Sequence, residues 1–130
     1  MAFSTSIDSG IAQLVFNKPP VNAFNSAEWS RIANEVRGLG ERSDVHVIVI
    51  RAEGKGFCAG GDVKGMASKG DGTVGDNTID GAIHRQRVNQ RSTAGKLYSM
   101  PKPTIAALPG AAAGAGLSLA LACDLRIMAS

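Results

Sequence analysis

Cysteine is scarce in this chain: Cys58 and Cys123 are the only two among 130 residues, and neither sits in a CxxC or CxxH spacing. That excludes a disulfide scaffold and a structural zinc site, and it fits a reduced, cytoplasmic setting. An excess of one charge sign is also missing. Lys and Arg number 14 against 11 Asp and Glu, and the resulting +3 is too mild and too dispersed to mark a nucleic-acid footprint, although it helps attract an anionic ligand. The first eight residues lack both the positive and the apolar parts of a secretory signal, and no lipidation motif is present. One stretch, residues 104–123, is long enough to span a bilayer without a charge. It contains Pro109, Gly110, Gly114 and Gly116, and its abundant Ala carries little transfer energy, so no membrane role is expected.

What remains is globular: 44% hydrophobic and 19% charged residues suit one folded domain with a real core. Residues 3–8 and 11–16 read as strands joined at Ser9-Gly10, where glycine supplies the permissive turn position. Lys18-Pro19-Pro20 stops the second strand, because proline has no amide to donate to a ladder. Asn25 followed three residues later by Glu28 predicts a capping box. Trp29, Ile32, Ala33, Val36 and Leu39 then recur at helical spacing, with Gly40 placed as a terminator. Residues 45–50 read as a strand buried on both faces, so the order opens β-β-α-β. Residues 65–80 have the Gly, Asp, Ser, Thr and Asn content of a mobile loop. Residues 79–100 suggest a polar helix ending at Pro101 and Pro103, followed by a strand at 104–108, a helix at 116–123 and a strand at 124–128. The chain stops at Ser130, directly after that strand.

Seven of the 16 glycines fall in two clusters that are also rich in Ala. The first, within residues 51–62, contains Gly54, Gly56 and Ala59 in the loose dinucleotide pattern GxGxxA. The pattern fails on context, since Gly60-Gly61-Asp62 prolongs the loop where a phosphate-binding helix should open. A nucleotide-cofactor oxidoreductase is therefore the weakest reading. No P-loop spacing exists either. The second cluster, residues 109–116, runs into Leu117 and the apolar residues after it. A small-residue turn feeding a helix leaves N–H groups free at the positive end of the helix dipole, which suits an anion or a developing oxyanion. Close packing of a buried helix would favour the same residues, and the cluster alone does not separate the two.

Together the clusters resemble the enoyl-CoA hydratase/isomerase (crotonase) family. The resemblance is carried by Gly56-Phe57-Cys58-Ala59-Gly60-Gly61-Asp62-Val63-Lys64, by Lys102-Pro103-Thr104-Ile105-Ala106-Ala107, and by residues 110–116 leading to Ala120-Leu121-Ala122-Cys123-Asp124. Val21-Asn22-Ala23 is similar to the family's entry to its first helix. It implies an α/β fold, the crotonase-like spiral of ββα units, with residues 1–130 as the N-terminal part of a single domain, truncated after the helix that follows the second glycine loop and the strand behind it.

The resemblance further implies an acyl-CoA thioester as substrate, with coenzyme A as part of that substrate and no separate cofactor or metal. An enolate formed at the thioester carbonyl would be stabilised by two peptide N–H donors, by motif position those of Gly61 and Ala115. Asp62, Val63 and Lys64 should lie along the CoA, with Ala59 and Ala23 lining its adenine or pantetheine path. Lys18 and Lys64 could meet phosphates, although an exposed lysine is a solvated surface charge in most proteins. His46 and His84 are expected to be structural or surface residues.

Ser118 departs from the pattern, because hydratases of the family carry a glutamate there. A hydroxyl without a proton acceptor is no general base near neutral pH, so isomerase-type chemistry is favoured over hydration. The carboxylate on which isomerase-type members rely lies beyond residue 130, and the chain alone should show little turnover. The complete protein is expected to be a homo-oligomer, a trimer or a hexamer. The competing reading is a catalytically silent CoA-binding or assembly module.

Overall fold

The structure is a computed structural model that describes residues 2–62 and 79–130. Strands β1 (Phe3–Asp8) and β2 (Ile11–Phe16) form an antiparallel hairpin. Ser9 and Gly10, at φ 52 and 81, supply the two positive-φ positions that a two-residue turn needs to match strand twist. The chain continues through a two-residue strand β3 (Ala23–Phe24), helix α1 (Ser26–Glu41), β4 (Val47–Ala52) and a second short strand β5 (Gly60–Gly61). After the undescribed segment come α2 (Ile79–Gln90), a π-helical turn (Arg91–Gly95), α3 (Lys96–Tyr98), β6 (Thr104–Leu108), α4 (Ala115–Ala122) and β7 (Leu125–Met128). The main sheet has the order β1-β2-β4-β6-β7, parallel from β2 onward, while β3 and β5 pair in a separate parallel ribbon.

Why these residues make these elements is largely visible in burial. In β4, Ile48 and Ile50 are fully buried whereas Val47 and Val49 are only half-buried. The strand expected to be covered on both faces thus has one packed face and one partly covered face. Helix α1 turns Ile32, Ala33, Val36 and Leu39 into the core. Phe16, Phe24 and Phe57 meet beneath it, with ring centroids 5.0 and 5.5 Å apart from Phe16.

The capping box forms as the sequence predicts, with the Asn25 side chain accepting from the Glu28 N–H and Glu28 accepting from the Asn25 N–H. Asn25→Ala should lower unfolding free energy by about 1 kcal/mol in urea titrations. Burial disfavours the Glu28 carboxylate, but the Lys18 ammonium at 2.7 Å and the Asn25 N–H outweigh it, holding its pKa below the usual 4.5. A carboxyl whose pKa is lowered on folding contributes stability above its unfolded value and loses it as pH falls. The denaturation midpoint should therefore drop below about pH 4.5, and drop less in Lys18→Met.

Two local expectations change. Gly40 does not end α1, which runs through it to Glu41; a Cβ there would lie 2.7 Å from Met100 Sδ, so the glycine admits a neighbour. Residues 79–100 are not one regular helix. Ser92 and Thr93 hydroxyls donate to the Val88 and Asn89 carbonyls, and the backbone widens there into the π turn. The stretch 104–123 divides into β6, a turn and α4, and among the described residues no helix is long and apolar enough to cross a membrane. The loop read at 65–80 falls outside the described residues, except that 79 and 80 already belong to α2. The strand at 104–108 matches its expected bounds, and α4 and β7 lie within one residue of theirs.

Candidate functional site

The two glycine clusters meet backbone to backbone. The Phe57 N–H donates to the Ala111 carbonyl at 2.9 Å and the Ala113 N–H to the Cys58 carbonyl at 3.0 Å, forming a parallel bridge between Cys58 and Ala112. The contact leaves no room for side chains at Gly110 and Gly116. A Cβ on Gly110 would overlap the Lys55 carbonyl oxygen, and one on Gly116 would overlap the Cys58 carbonyl oxygen while lying 2.6 Å from its Cβ. Gly60, at φ +100, would place a Cβ 3.2 Å from the Ala115 nitrogen. The ribbon strand β5 and the first residue of α4 are thus neighbours, although 54 positions separate Gly61 from Ala115 (115 minus 61).

Which amides stay available follows from the pairing. On its other side β5 is fixed to β3, with the Ala59 N–H donating to the Val21 carbonyl at 3.0 Å and the Asp62 N–H to the Phe24 carbonyl at 2.9 Å. Gly60, at φ +100, interrupts the alternation after Ala59; counted from the bonded Asp62 N–H, the adjacent Gly61 N–H points away from β3. In α4 the bonds begin one residue late: Gly116 and Leu117 donate to Ala113, and Ser118 to Gly114. The Ala115 N–H, the first of the helix, has no acceptor among the described residues.

Gly61 and Ala115 line one cavity of about 460 Å³, with Asp62, Ser118, Trp29 and Thr93 also on its wall. Of the residues singled out from sequence, the cavity therefore brings together Gly61, Asp62, Ala115 and Ser118. Ala23 and Ala59 lie outside that wall: Ala23 is half-buried opposite Gly60 in the ribbon, and Ala59 is exposed. Val63 and Lys64 are outside the described residues. Lys18 does not stand open to phosphates, because its ammonium is held 2.7 Å from Glu28 and 3.9 Å from Asp62. His46 and His84 are exposed and do not line the cavity.

Ser118 donates to the Gly114 carbonyl at 3.3 Å within its own helical turn, and no acid or imidazole is hydrogen-bonded to it among the described residues. Nor, among those residues, do three His, Cys, Asp or Glu side chains gather where a metal ion would sit. Burial pushes both thiols up to about 11, so Cys58 and Cys123 stay protonated and unreactive near neutrality. The folded protein at pH 8 should not react with a disulfide reagent on the minutes timescale, whereas the urea-unfolded chain should release two equivalents.

Sequence reasoning missed two contributors. Asn89 and Gln90 from the end of α2, and Ser92 and Thr93 from the π turn, reach the cavity wall, and an adjacent Ser-Thr pair inside a helical pattern was the available signal. Asn22 ties the ribbon to the first glycine loop, and no pattern in the sequence foretold its bonds.

A mostly parallel sheet, with a ribbon strand and a helix start that line one cavity, defines an α/β protein of crotonase architecture. The chain belongs to the enoyl-CoA hydratase/isomerase family, whose pattern it matches over residues 6–130. It is 38% identical over 125 residues to enoyl-CoA hydratase domain-containing protein 2, mitochondrial, of Homo sapiens, covering 95% of this chain and 40% of that one. A probable enoyl-CoA hydratase of Bacillus subtilis is 36% identical over 129 residues, 98% of this chain and 46% of the relative. Among solved structures, a putative enoyl-CoA hydratase/isomerase (crotonase) from Legionella pneumophila superposes with a TM-score of 0.84 at 30% identity. That match covers 98% of this chain and 47% of the Legionella one. The chain thus spans less than half the length of these relatives.

Proposed function

We propose that this chain binds an acyl-CoA thioester with its carbonyl oxygen between the N–H groups of Gly61 and Ala115, which stabilise the enolate form. The supporting observation is that these two residues, from separate small-residue loops, line the same cavity, one as the first residue of a helix. Oriented amides in a site that excludes water stabilise developing negative charge without reorganising, which is why such donors carry large effects. Asp62 at the cavity wall, with Val63 and Lys64 following it, would run along the CoA, and Ala23 and Ala59 would border its path.

Within this reading, isomerase-type chemistry is favoured over hydration. Adding water across a double bond requires a group to take a proton from water, and Ser118 is bonded to its own helical turn with no acid or imidazole hydrogen-bonded to it among the described residues. The same observation favours the second reading, a silent CoA-binding or assembly module. In either case the 130-residue chain should show little turnover alone, because an oxyanion site still needs a group that moves the proton. As part of the same proposal, the complete protein would act as a homo-oligomer in the cytoplasm.

Calorimetric titration of the purified chain with acetyl-CoA, and with free CoA as control, tests the binding claim. Saturable binding with amide resonance shifts at Gly61 and Ala115 is expected. Absence of binding to any CoA thioester would leave only the assembly role, and hydration of crotonyl-CoA at enzymatic rates would overturn the isomerase preference.

A further inference from the structure

Asn22 is the least exposed of the polar residues before β3, at 4%, and it sits at φ 53, a left-handed conformation that asparagine tolerates better than most residues. Its carboxamide bonds to a neighbouring turn through the oxygen and across long sequence distances through the nitrogen. Oδ1 accepts the Lys18 N–H at 2.7 Å. Nδ2 donates to the Phe57 carbonyl at 3.0 Å and, at 3.4 Å each, to those of Glu53 and Gly56. The Asn22 backbone carbonyl accepts from Cys58 Sγ at 3.1 Å. One residue therefore gathers the carbonyls along the first glycine loop and ties them to the turn that enters β3.

That attachment lies immediately before the ribbon. Ala23 and Phe24 pair with Gly60 and Gly61, so where Asn22 holds residues 53–58 determines where β5 arrives. The second glycine cluster docks on the same segment through Phe57 and Cys58. We infer that Asn22 is a positioning residue: its carboxamide fixes the first glycine loop so that the Gly61 amide is presented to the cavity beside that of Ala115. The inference rests on the proposed function for its consequence in binding, but its geometric part can be read without ligand.

Two variants separate side chain from backbone. Asn22→Gly keeps the positive φ and deletes the carboxamide, whereas Asn22→Asp keeps the acceptor for Lys18 and loses the donor to the loop. In the ligand-free protein, amide hydrogen exchange at Phe57, Ala59 and Asp62 should accelerate at least tenfold relative to Ile48 and Ile50 in β4, in both variants. The Gly61 amide resonance should move, while that of Gly38 in α1 stays. Equal acceleration at all amides would mean general destabilisation only, and unchanged exchange in residues 57–62 would mean the carboxamide positions nothing; either overturns the inference. Acetyl-CoA titration then adds the functional arm, with an expected tenfold loss of affinity in both variants. Failure of the unsubstituted chain to bind acetyl-CoA would remove the proposed function, while the exchange result would still decide the role of Asn22.

Discussion

Gly116→Ala should destabilise the protein by more than about 3 kcal/mol, a large part of the stability a small domain possesses. Ordinarily the change would help, because alanine is favoured over glycine inside a helix by up to ~1 kcal/mol. Here the added methyl would overlap the Cys58 carbonyl oxygen and lie 2.8 Å from its sulfur, and the obstructing oxygen belongs to backbone that no rotamer change can move. Relief would require α4 to lift from the first glycine loop and break the Cys58–Ala112 bridge. Gly38→Ala supplies the opposite sign: nothing lies within 4 Å of a Cβ there, and the helical preference should raise stability by about 0.5–1 kcal/mol. Urea unfolding followed by Trp29 fluorescence measures both. If Gly116→Ala cost no more than an ordinary surface substitution, the two loops would not be in the contact described.

Ala115→Pro should weaken acetyl-CoA binding about fivefold, the loss of one hydrogen bond worth ~1 kcal/mol, while leaving the affinity for free CoA unchanged. Ala115 opens α4, where proline is tolerated because that N–H has no partner within the helix. The substitution therefore removes the proposed donor while keeping the helix, which circular dichroism checks. In a protein with the same two amides and a competent proton acceptor, losing one donor should cost about 10² to 10³ in rate, because the bond strengthens as charge develops on oxygen. Equal loss of affinity for CoA and acetyl-CoA would show that Ala115 acts on the nucleotide or on the fold, and not on the thioester carbonyl.

Much of the site was legible before any coordinates. The motif positions Gly61, Asp62, Ala115 and Ser118, which only the family resemblance linked, line one cavity. Short-range chemistry read well too: the Ser9-Gly10 turn and the Asn25 capping box depend on neighbours in sequence, so residue type sufficed. Misreadings came where a distant partner decides. Gly40 has the look of a stop signal but serves Met100, sixty positions away (100 minus 40). For Lys18 the sequence left a phosphate contact and a surface charge both open, and it could not show that Glu28 and Asp62 engage the ammonium.

Local residue chemistry determined that this chain makes a hairpin, a capped helix, apolar strands and two loops poor in side chains, because turns, caps and hydrophobic periods are properties of adjacent residues. Only the tertiary structure decided that the two loops touch, that Gly116 must stay glycine and that Asn22 ties one loop to the ribbon. Those outcomes depend on the distance between backbone atoms far apart in the chain, and no pattern in one segment encodes where another will lie.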